Sequence, residues 1–403
     1  MIVTIEKSKA VGRIAAPPSK SMAHRYLICG ALSGGSEISG VAFSEDIKAT
    51  LSCLEALGAK VEINKDTVKL GGIATGKNVI STNLYCNESG STLRFLIPLC
   101  MLSENEFTLS GTERLFSRSL SVYEELCREQ GITFKQNENS VTVKGKLNAG
   151  KFSVSGNISS QFISGLMFAL PNLLNDSEIE ITGGLESGSY LNLTLKALAD
   201  FGVRISRAEE NIMYVKGSQE FKKRKLCVEG DYSNAAFFES LNLFGGNVVV
   251  TGLQSDSVQG DKVYKEIFPQ LVKGCPTIDI SDCPDLGPIL MALAATLNGA
   301  VFTGTHRLKI KESDRGRAMA EELAKFGCKV IVDENTIEVR RCTLKTPVLP
   351  LSGHNDHRIV MAVAVLCTIT GGKIYGAQAV SKSFPDFFEK LQEVGVKLKV
   401  ENA

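Results

Sequence analysis

The chain has 403 residues, 43% of them hydrophobic and 22% charged, with a formal net charge of +1. That length exceeds one ordinary hydrophobic core, so two domains are expected. The near-zero net charge speaks against a nucleic-acid binder, which carries a basic excess. Eleven scattered cysteines, with no C-x-x-C pair, read as reduced, buried thiols of a cytosolic protein and not as a disulfide framework or zinc site. Residues 1–7 alternate like a strand without the apolar core of a signal peptide, and no apolar run is long enough to span a bilayer.

Along the chain one phrase returns six times: the end of an apolar helix, a tight turn, a short β-branched strand and a glycine. It reads ALSGGSEISG at 31–40, LSENEFTLSG at 102–111, LNDSEIEITG at 174–183, LFGGNVVVTG at 243–252, TLNGAVFTG at 296–304 and TITGGKIYG at 368–376. A second phrase follows, strongest as LEALGAKV at 54–61, and recurs around Gly131, Gly202, Gly327 and Gly395, weakly around Gly274. The spacing is roughly 70 residues with one short interval in the fifth unit. Each unit reads strand, helix, strand and usually a further strand; 61–70 forms a hairpin around Asn64, Lys65 and Asp66. Second strands are expected at 141–143, 213–215 and 337–339. Gly58, Gly202 and Gly327 follow helices, where a left-handed cap favours glycine. These alternations imply an α/β fold of supersecondary repeats.

Six units divide into three and three. The seam falls near the basic run 221–225, read as a solvated crossover and not as a nucleic-acid patch. The N-terminal strand is expected to pair with the second half, giving crossovers near 16–19 and near Lys225. The expected domains are therefore 19–225, and 1–18 plus 226–403.

Polar residues outside the repeat are the candidates for chemistry. Pro17, Pro18 and Ser19 precede Lys20, Ser21 and Arg25 at the start of an apolar helix over 26–32, with Ser19 as its cap. Asn87 to Arg94, around Gly90, leads into a helix over 93–102 and leaves room for close ligand approach. Ser159, Ser160 and Gln161 precede a helix over 162–170. Three hydroxyl-rich helix starts suit a multiply charged anion. In the second half, Asp285 precedes a helix over 286–297. Lys311, Glu312 and Arg315 enter one over 316–326, and Asp356, His357 and Arg358 enter one over 359–368. Carboxylates and cations in one half and hydroxyls with Lys20 and Arg25 in the other describe an interdomain cleft for an anionic substrate pair. Each segment alone is also a plain capped helix start; jointly they are not.

Two motifs are set aside. Residues 71–77 match most of a P-loop, but Asn78 replaces the magnesium-binding hydroxyl and a strand over 79–84 follows where a helix is required. His354 and His357 have metal-compatible spacing but no recognisable third ligand.

The joint set, Ser19-Lys20-Ser21 with Arg25, Gly90-Ser91 with Arg94, Ser159-Ser160-Gln161, Lys311 to Arg315 and Asp356-His357-Arg358, resembles the 3-phosphoshikimate 1-carboxyvinyltransferase family, the 5-enolpyruvylshikimate-3-phosphate synthases. The resemblance runs in order from about Lys20 to Pro385. It implies a two-domain inside-out α/β barrel with three βαβαββ units per domain. The implied reaction transfers the enolpyruvyl group of phosphoenolpyruvate to the 5-hydroxyl of shikimate 3-phosphate by addition and elimination, in aromatic amino acid biosynthesis. By the same resemblance, Ser21, Arg25, Ser159, Ser160, Gln161, Ser187, Tyr190, Asp285 and Lys311 would hold shikimate 3-phosphate. Lys20, Gly90, Arg118, Gln161, Arg315, Arg358 and Lys382 would hold phosphoenolpyruvate, with which glyphosate competes in this family. Asp285 and Glu312 would carry the proton transfers, assisted by Lys20. It further implies a cytoplasmic monomer with small-molecule substrates, no nucleic-acid or membrane partner and no metal or organic cofactor.

Glu88, Ser91, Ser119 and Arg307 depart from the family's commonest residues and bear on affinity and inhibitor response. A transferase acting on UDP-N-acetylglucosamine is the nearest alternative, but it carries Lys-Asn where this chain has Lys20-Ser21, and a loop cysteine absent near Arg118. A non-catalytic six-repeat binding protein would show a basic lining and no carboxylates at helix starts.

Overall fold

The computed structural model describes residues 1–73, 79–184, 188–209 and 211–401. Two compact units divide the chain: Pro18–Glu229, and Met1–Pro17 with Gly230–Ala403. The second crossover lies a few residues beyond the expected 225/226 boundary, because Lys225–Cys227 pairs in parallel with Glu37, Ile38 and Ser39 of the first unit.

One sheet plan recurs, two parallel strands followed by an antiparallel return hairpin. In the first unit Asn83–Tyr85 pairs in parallel with Glu106–Ser110, which pairs antiparallel with Ser140–Lys144, and Thr133–Gln136 lies at the edge. Lys151–Ser155, Ser177–Thr182, Ile212–Val215 and Ile205–Glu209 repeat it. The sheet of Gly35–Ser39, Thr67–Gly71 and Val61–Asn64 obtains its parallel strand from Lys225–Cys227, so the last strand of the unit completes its first sheet.

In the second unit Thr277–Asp279, Ala300–Thr303, Thr336–Val339 and Val330–Val332 follow the same plan. Leu351–Ser352, Gly372–Tyr375 and Leu398–Glu401 are completed by Ile2–Ile5, which pairs antiparallel with both neighbours as the N-terminal alternation suggested. The remaining sheet has two described strands, Val11–Ala15 parallel to Asn247–Thr251. No return hairpin follows it among the described residues, which accounts for the short sequence interval. The weak repeat glycine there, Gly274, is extended at φ 178°, whereas Gly58, Gly131, Gly202, Gly327 and Gly395 all have the left-handed backbone of a helix end.

Other expectations shift by local chemistry. The strand expected over 79–84 is confined to Asn83–Tyr85, and residues 74–78 of the P-loop-like segment lie outside the described residues. The basic run 221–225 is tied into the first unit: Arg224 donates to Asp200 O at 2.7 Å and Lys225 lies 3.8 Å from Glu37. Cys328 and Cys342 correct the all-thiol reading, since they form a disulfide with Cα atoms 5.4 Å apart. Arg340 N donates to Lys329 O, which extends the hairpin of Val330–Val332 and Thr336–Val339 toward the two cysteines; in that register Cys328 faces Arg341, one residue before Cys342. Seven of the nine free cysteines are buried; Cys227 and Cys275 are exposed.

Apolar helices form the cores. In the second unit every residue from Gly287 to Ala295 is buried, as is nearly all of His357–Thr370. Burial of each Leu, Ile or Met side chain contributes roughly 1.5–3 kcal/mol, so such helices are held by the core and not by propensity. In the first unit Phe95 of Gly90–Cys100 meets Phe168 of Ser160–Ala169 edge to face at 5.3 Å, and Arg25 of Lys20–Leu32 lies over Phe95 at 5.1 Å.

Gly165 marks the closest approach between Ser160–Ala169 and Gly90–Cys100. A Cβ there would overlap Arg94 O and the Tyr123 hydroxyl. In an exposed helix, glycine to alanine adds about 1 kcal/mol of stability. Here the sign should reverse: Gly165→Ala is expected to destabilise by about 1–3 kcal/mol through overpacking against backbone. Urea unfolding of the two proteins checks it, and a gain in stability would contradict the packing account.

Candidate active site

In the first unit three serine caps open three core helices. Ser19 Oγ accepts from Met22 N, Ser89 Oγ from Thr92 N and Ser159 Oγ from Gln161 N. Neutral caps satisfy these ends without cancelling the positive helix N-terminus. Arg25 is buried: its Nε donates to Thr194 Oγ1 at 2.8 Å, and its terminal nitrogens donate to Ser21 O at 2.7 Å and Tyr190 O at 3.0 Å. Burial draws its guanidinium down to about 10. Lys20 Nζ pairs with Asp46 at 2.7 Å. Gln161 receives from Arg94 at 3.4 Å and donates to Ser91 Oγ at 3.1 Å.

Gly90 lies among guanidinium groups. A Cβ at this position would stand 2.8 Å from a terminal nitrogen of Arg118 and 2.9 Å from one of Arg94. Arg94 in turn donates to Arg118 O and Ser119 O and lies over the Phe162 ring at 5.1 Å. The Arg118 Nε is buried without a hydrogen-bond partner. The first unit thus brings together Ser21, Arg25 and Tyr190, and separately Gly90, Arg118 and Gln161. Ser160 is buried at its helix start, and Ser187 lies outside the described residues.

In the second unit one side chain collects the carboxylates. Arg315 is 1% exposed; its Nε donates to Asp356 at 2.8 Å and its terminal nitrogens to Asp285 and Glu312, both at 2.7 Å. Asp356 also caps His357–Thr370 by accepting from Arg358 N at 2.9 Å, and accepts from Ser313 Oγ at 3.0 Å. Lys311 lies 3.2 Å from Asp285, and Arg358 lies 3.6 Å from its other oxygen. Burial pushes the Asp285 carboxyl up, but Lys311, Arg315 and Arg358 outweigh it and hold the group well below the usual carboxylate range. Burial draws Lys311 down despite Asp285.

Asp285 is not the cap of its helix. Gly287–Thr296 starts after Leu286 without any side-chain cap, so the carboxylate is committed to cations instead. Lys382 donates to Asn355 O at 2.6 Å. Asn355 and His354 both have left-handed backbone, φ 52° and 47°, uncommon for side-chain-bearing residues and placed directly before Asp356. His354 lies 2.7 Å from Glu322, and no group of three or more His, Cys, Asp or Glu side chains that could hold a metal ion occurs among the described residues.

Sequence reasoning missed Asp46, Ser233, Asn234, Asp261 and the charge role of Asp356. Asn234 accepts from Arg358 at 3.0 Å, and its neighbour Ser233 donates to Asp261. Asp46 sat in the first turn of Glu45–Ala56, where an acidic residue needs no further reason. Asp356 carried a signal, a helix start flanked by His and Arg; Asp261 carried none.

The EPSP synthase (3-phosphoshikimate 1-carboxyvinyltransferase) family model matches residues 5–391. The 3-phosphoshikimate 1-carboxyvinyltransferase of Clostridium novyi (strain NT) is 40% identical, over 98% of this chain and 97% of that one. Its counterpart in Clostridioides difficile (strain 630) is 37% identical over the same shares. A solved EPSP synthase structure from Acinetobacter baumannii covers all of both chains with a TM-score of 0.79 at 22% identity, a likeness of fold. No helix among the described residues is long and apolar enough to cross a membrane. With the family match spanning nearly its whole length and relatives this similar, the chain belongs to the EPSP synthase (3-phosphoshikimate 1-carboxyvinyltransferase) family.

Proposed function

We propose that the chain transfers the enolpyruvyl group of phosphoenolpyruvate to the 5-hydroxyl of shikimate 3-phosphate and releases phosphate. The observation that carries the reading is Arg315, one buried guanidinium holding Asp285 and Glu312 at 2.7 Å each inside a family match over residues 5–391. In the addition, C3 of phosphoenolpyruvate gains a proton and the 5-hydroxyl oxygen bonds to C2 while its own proton leaves. In the elimination, C3 gives up a proton, the C2–O bond to phosphate breaks and the double bond re-forms. Asp285, ionised beside its three cations, is the proposed acceptor of the hydroxyl proton; Lys311, Arg315 and Arg358 weaken it as a base, so substrate binding has to relieve part of their hold for it to act. Glu312 then serves the methylene, with Lys20 assisting, a division that works when two carboxyl groups differ in environment.

Ser21, Arg25, Ser159, Ser160, Gln161, Ser187 and Tyr190, with Asp285 and Lys311, are the proposed ligands of shikimate 3-phosphate. Lys20, Gly90, Arg118, Gln161, Arg315, Arg358 and Lys382 are those of phosphoenolpyruvate. Arginine forks match phosphate and carboxylate groups, and Arg118, with a buried Nε to satisfy, is the best supported of them. Arg315 already serves three carboxylates, so it acts on phosphoenolpyruvate mainly through its charge.

Purified protein is expected to release phosphate from phosphoenolpyruvate only with shikimate 3-phosphate present. Equal release with UDP-N-acetylglucosamine in its place would sink the proposal. Asp285→Asn and Glu312→Gln should each lower kcat by roughly 10² or more with little change in the KM for phosphoenolpyruvate. Because Asp285 is not a cap, an unchanged kcat in Asp285→Asn would remove it from the chemistry. Arg118→Ala should raise that KM about tenfold or more, and a change in kcat alone would contradict its assignment.

Gly90→Ala tests the guanidinium cluster. The added methyl meets flexible side-chain ends and not backbone, so the fold should survive while Arg118 and Arg94 shift. The KM for phosphoenolpyruvate is expected to rise about two- to tenfold, and inhibition by glyphosate, the longer molecule, to weaken further. Equal losses for both ligands in steady-state assays would rule out the steric account.

A further inference from the structure

Asp261 lies in the short turn Gly260–Val263 and is 6% exposed. Ser233 donates to its Oδ2, while its Oδ1 is buried with no hydrogen-bond partner. Ser233 and Asp231 face it from the start of Tyr232–Ser240, Cys283 and Asp285 from the segment before Gly287–Thr296, and Arg358 from His357–Thr370. Two of its three charged neighbours are therefore carboxylates. An ionised Asp261 would be a buried anion with too few donors, a costly state. Burial first, then Asp285, push its carboxyl up to about 7, against the Ser233 hydrogen bond and the Arg358 charge. Asp285, in the same neighbourhood, is driven the opposite way.

We infer that Asp261 is a positioning residue for anion binding, which leaves the field of Arg358 to the substrate while it carries a proton and takes a share of that field when it loses it. The inference rests on the reading that Arg358 holds phosphoenolpyruvate. One helix start carries both contacts: Asn234 accepts from Arg358 at 3.0 Å, and the preceding Ser233 donates to Asp261.

The sign follows from the raised value. An unfolded aspartate titrates near 3.9, so between there and about 7 the folded chain holds the extra proton. Stability from this group is full below the unfolded value, falls as pH rises to the folded value, and is flat above it. Asp261→Asn keeps the shape and the acceptor for Ser233 but cannot ionise.

Thermal unfolding of both proteins from pH 5 to 9 reads the proton without turnover. The wild-type midpoint should fall relative to Asp261→Asn up to about pH 7 and then run parallel. Calorimetric Kd values for phosphoenolpyruvate, taken with shikimate 3-phosphate over the same range, read the coupling. The wild-type to variant ratio should begin to rise near pH 7, by up to about tenfold per pH unit. The ligand's own phosphate ionisation, near pH 6, cancels in that ratio. Ser233→Ala removes the donor that favours the ionised form, so both transitions should move to higher pH. A pH-independent difference in unfolding midpoint, or a flat Kd ratio, overturns the inference. If Asp261→Asn fails to fold, an unshifted alkaline rise of Kd in Ser233→Ala overturns it instead. Absence of phosphoenolpyruvate binding at every pH in wild type sinks the transferase reading, and the unfolding curves still report on the Asp261 proton.

Discussion

Arg315 is a full positive charge at 1% exposure, and much of the second unit is arranged to make that tolerable. Taking a guanidinium out of water costs several kcal/mol even after relaxation. Asp356, Asp285 and Glu312 offset this with hydrogen bonds of 2.7–2.8 Å. Each carboxylate comes from a different stretch: Asp356 caps His357–Thr370, Asp285 precedes Gly287–Thr296, and Glu312 precedes the helix of Arg315 itself. The ion cluster therefore fixes how the starts of three helices meet. The same contacts that offset a desolvation cost set the ionisation of Asp285, so the stability of this cluster and the charge of that carboxylate are one electrostatic problem.

The first unit solves the ends of its helices differently. Its core helices are capped by Ser19, Ser89 and Ser159, whereas Asp231, Asp314 and Asp356 cap helices of the second unit. A serine cap satisfies an N–H and leaves the positive end of the helix uncompensated, whereas an aspartate cap also offsets that positive end with its own charge. The first unit accordingly carries a chain of neutral groups: His24 lies 2.8 Å from Thr50, which lies 2.7 Å from Thr92, which donates to Ser89. Burial, then Lys20 and Arg25, hold His24 well below the usual histidine range, so it adds no charge there. The positive groups of this unit are its helix N-termini together with Arg25, Arg94, Arg118 and Lys20.

What the sequence determined by itself is what depends on a few neighbouring residues. Five of the six repeat glycines are an example: Gly40, Gly183, Gly252, Gly304 and Gly376 have φ between 66° and 83°, a region that side chains rarely enter, and Gly111 alone among the six does not. The serine caps are another, since a cap hydroxyl reaches only two or three residues along its own chain. Both are set by local sterics and short hydrogen bonds, and the apolar helices follow from their composition. Only the tertiary structure decided which distant segments complete a sheet, as Ile2–Ile5 does between Gly372–Tyr375 and Leu398–Glu401. It also decided that Cys328 meets Cys342, that Asp46 takes Lys20, that Arg315 gathers three carboxylates and that Asp261 is left half-satisfied beside Asp285. Pairings between residues far apart in the chain exist only when a core brings them together, and a carboxylate's charge depends on how much water and how many cations that core leaves around it.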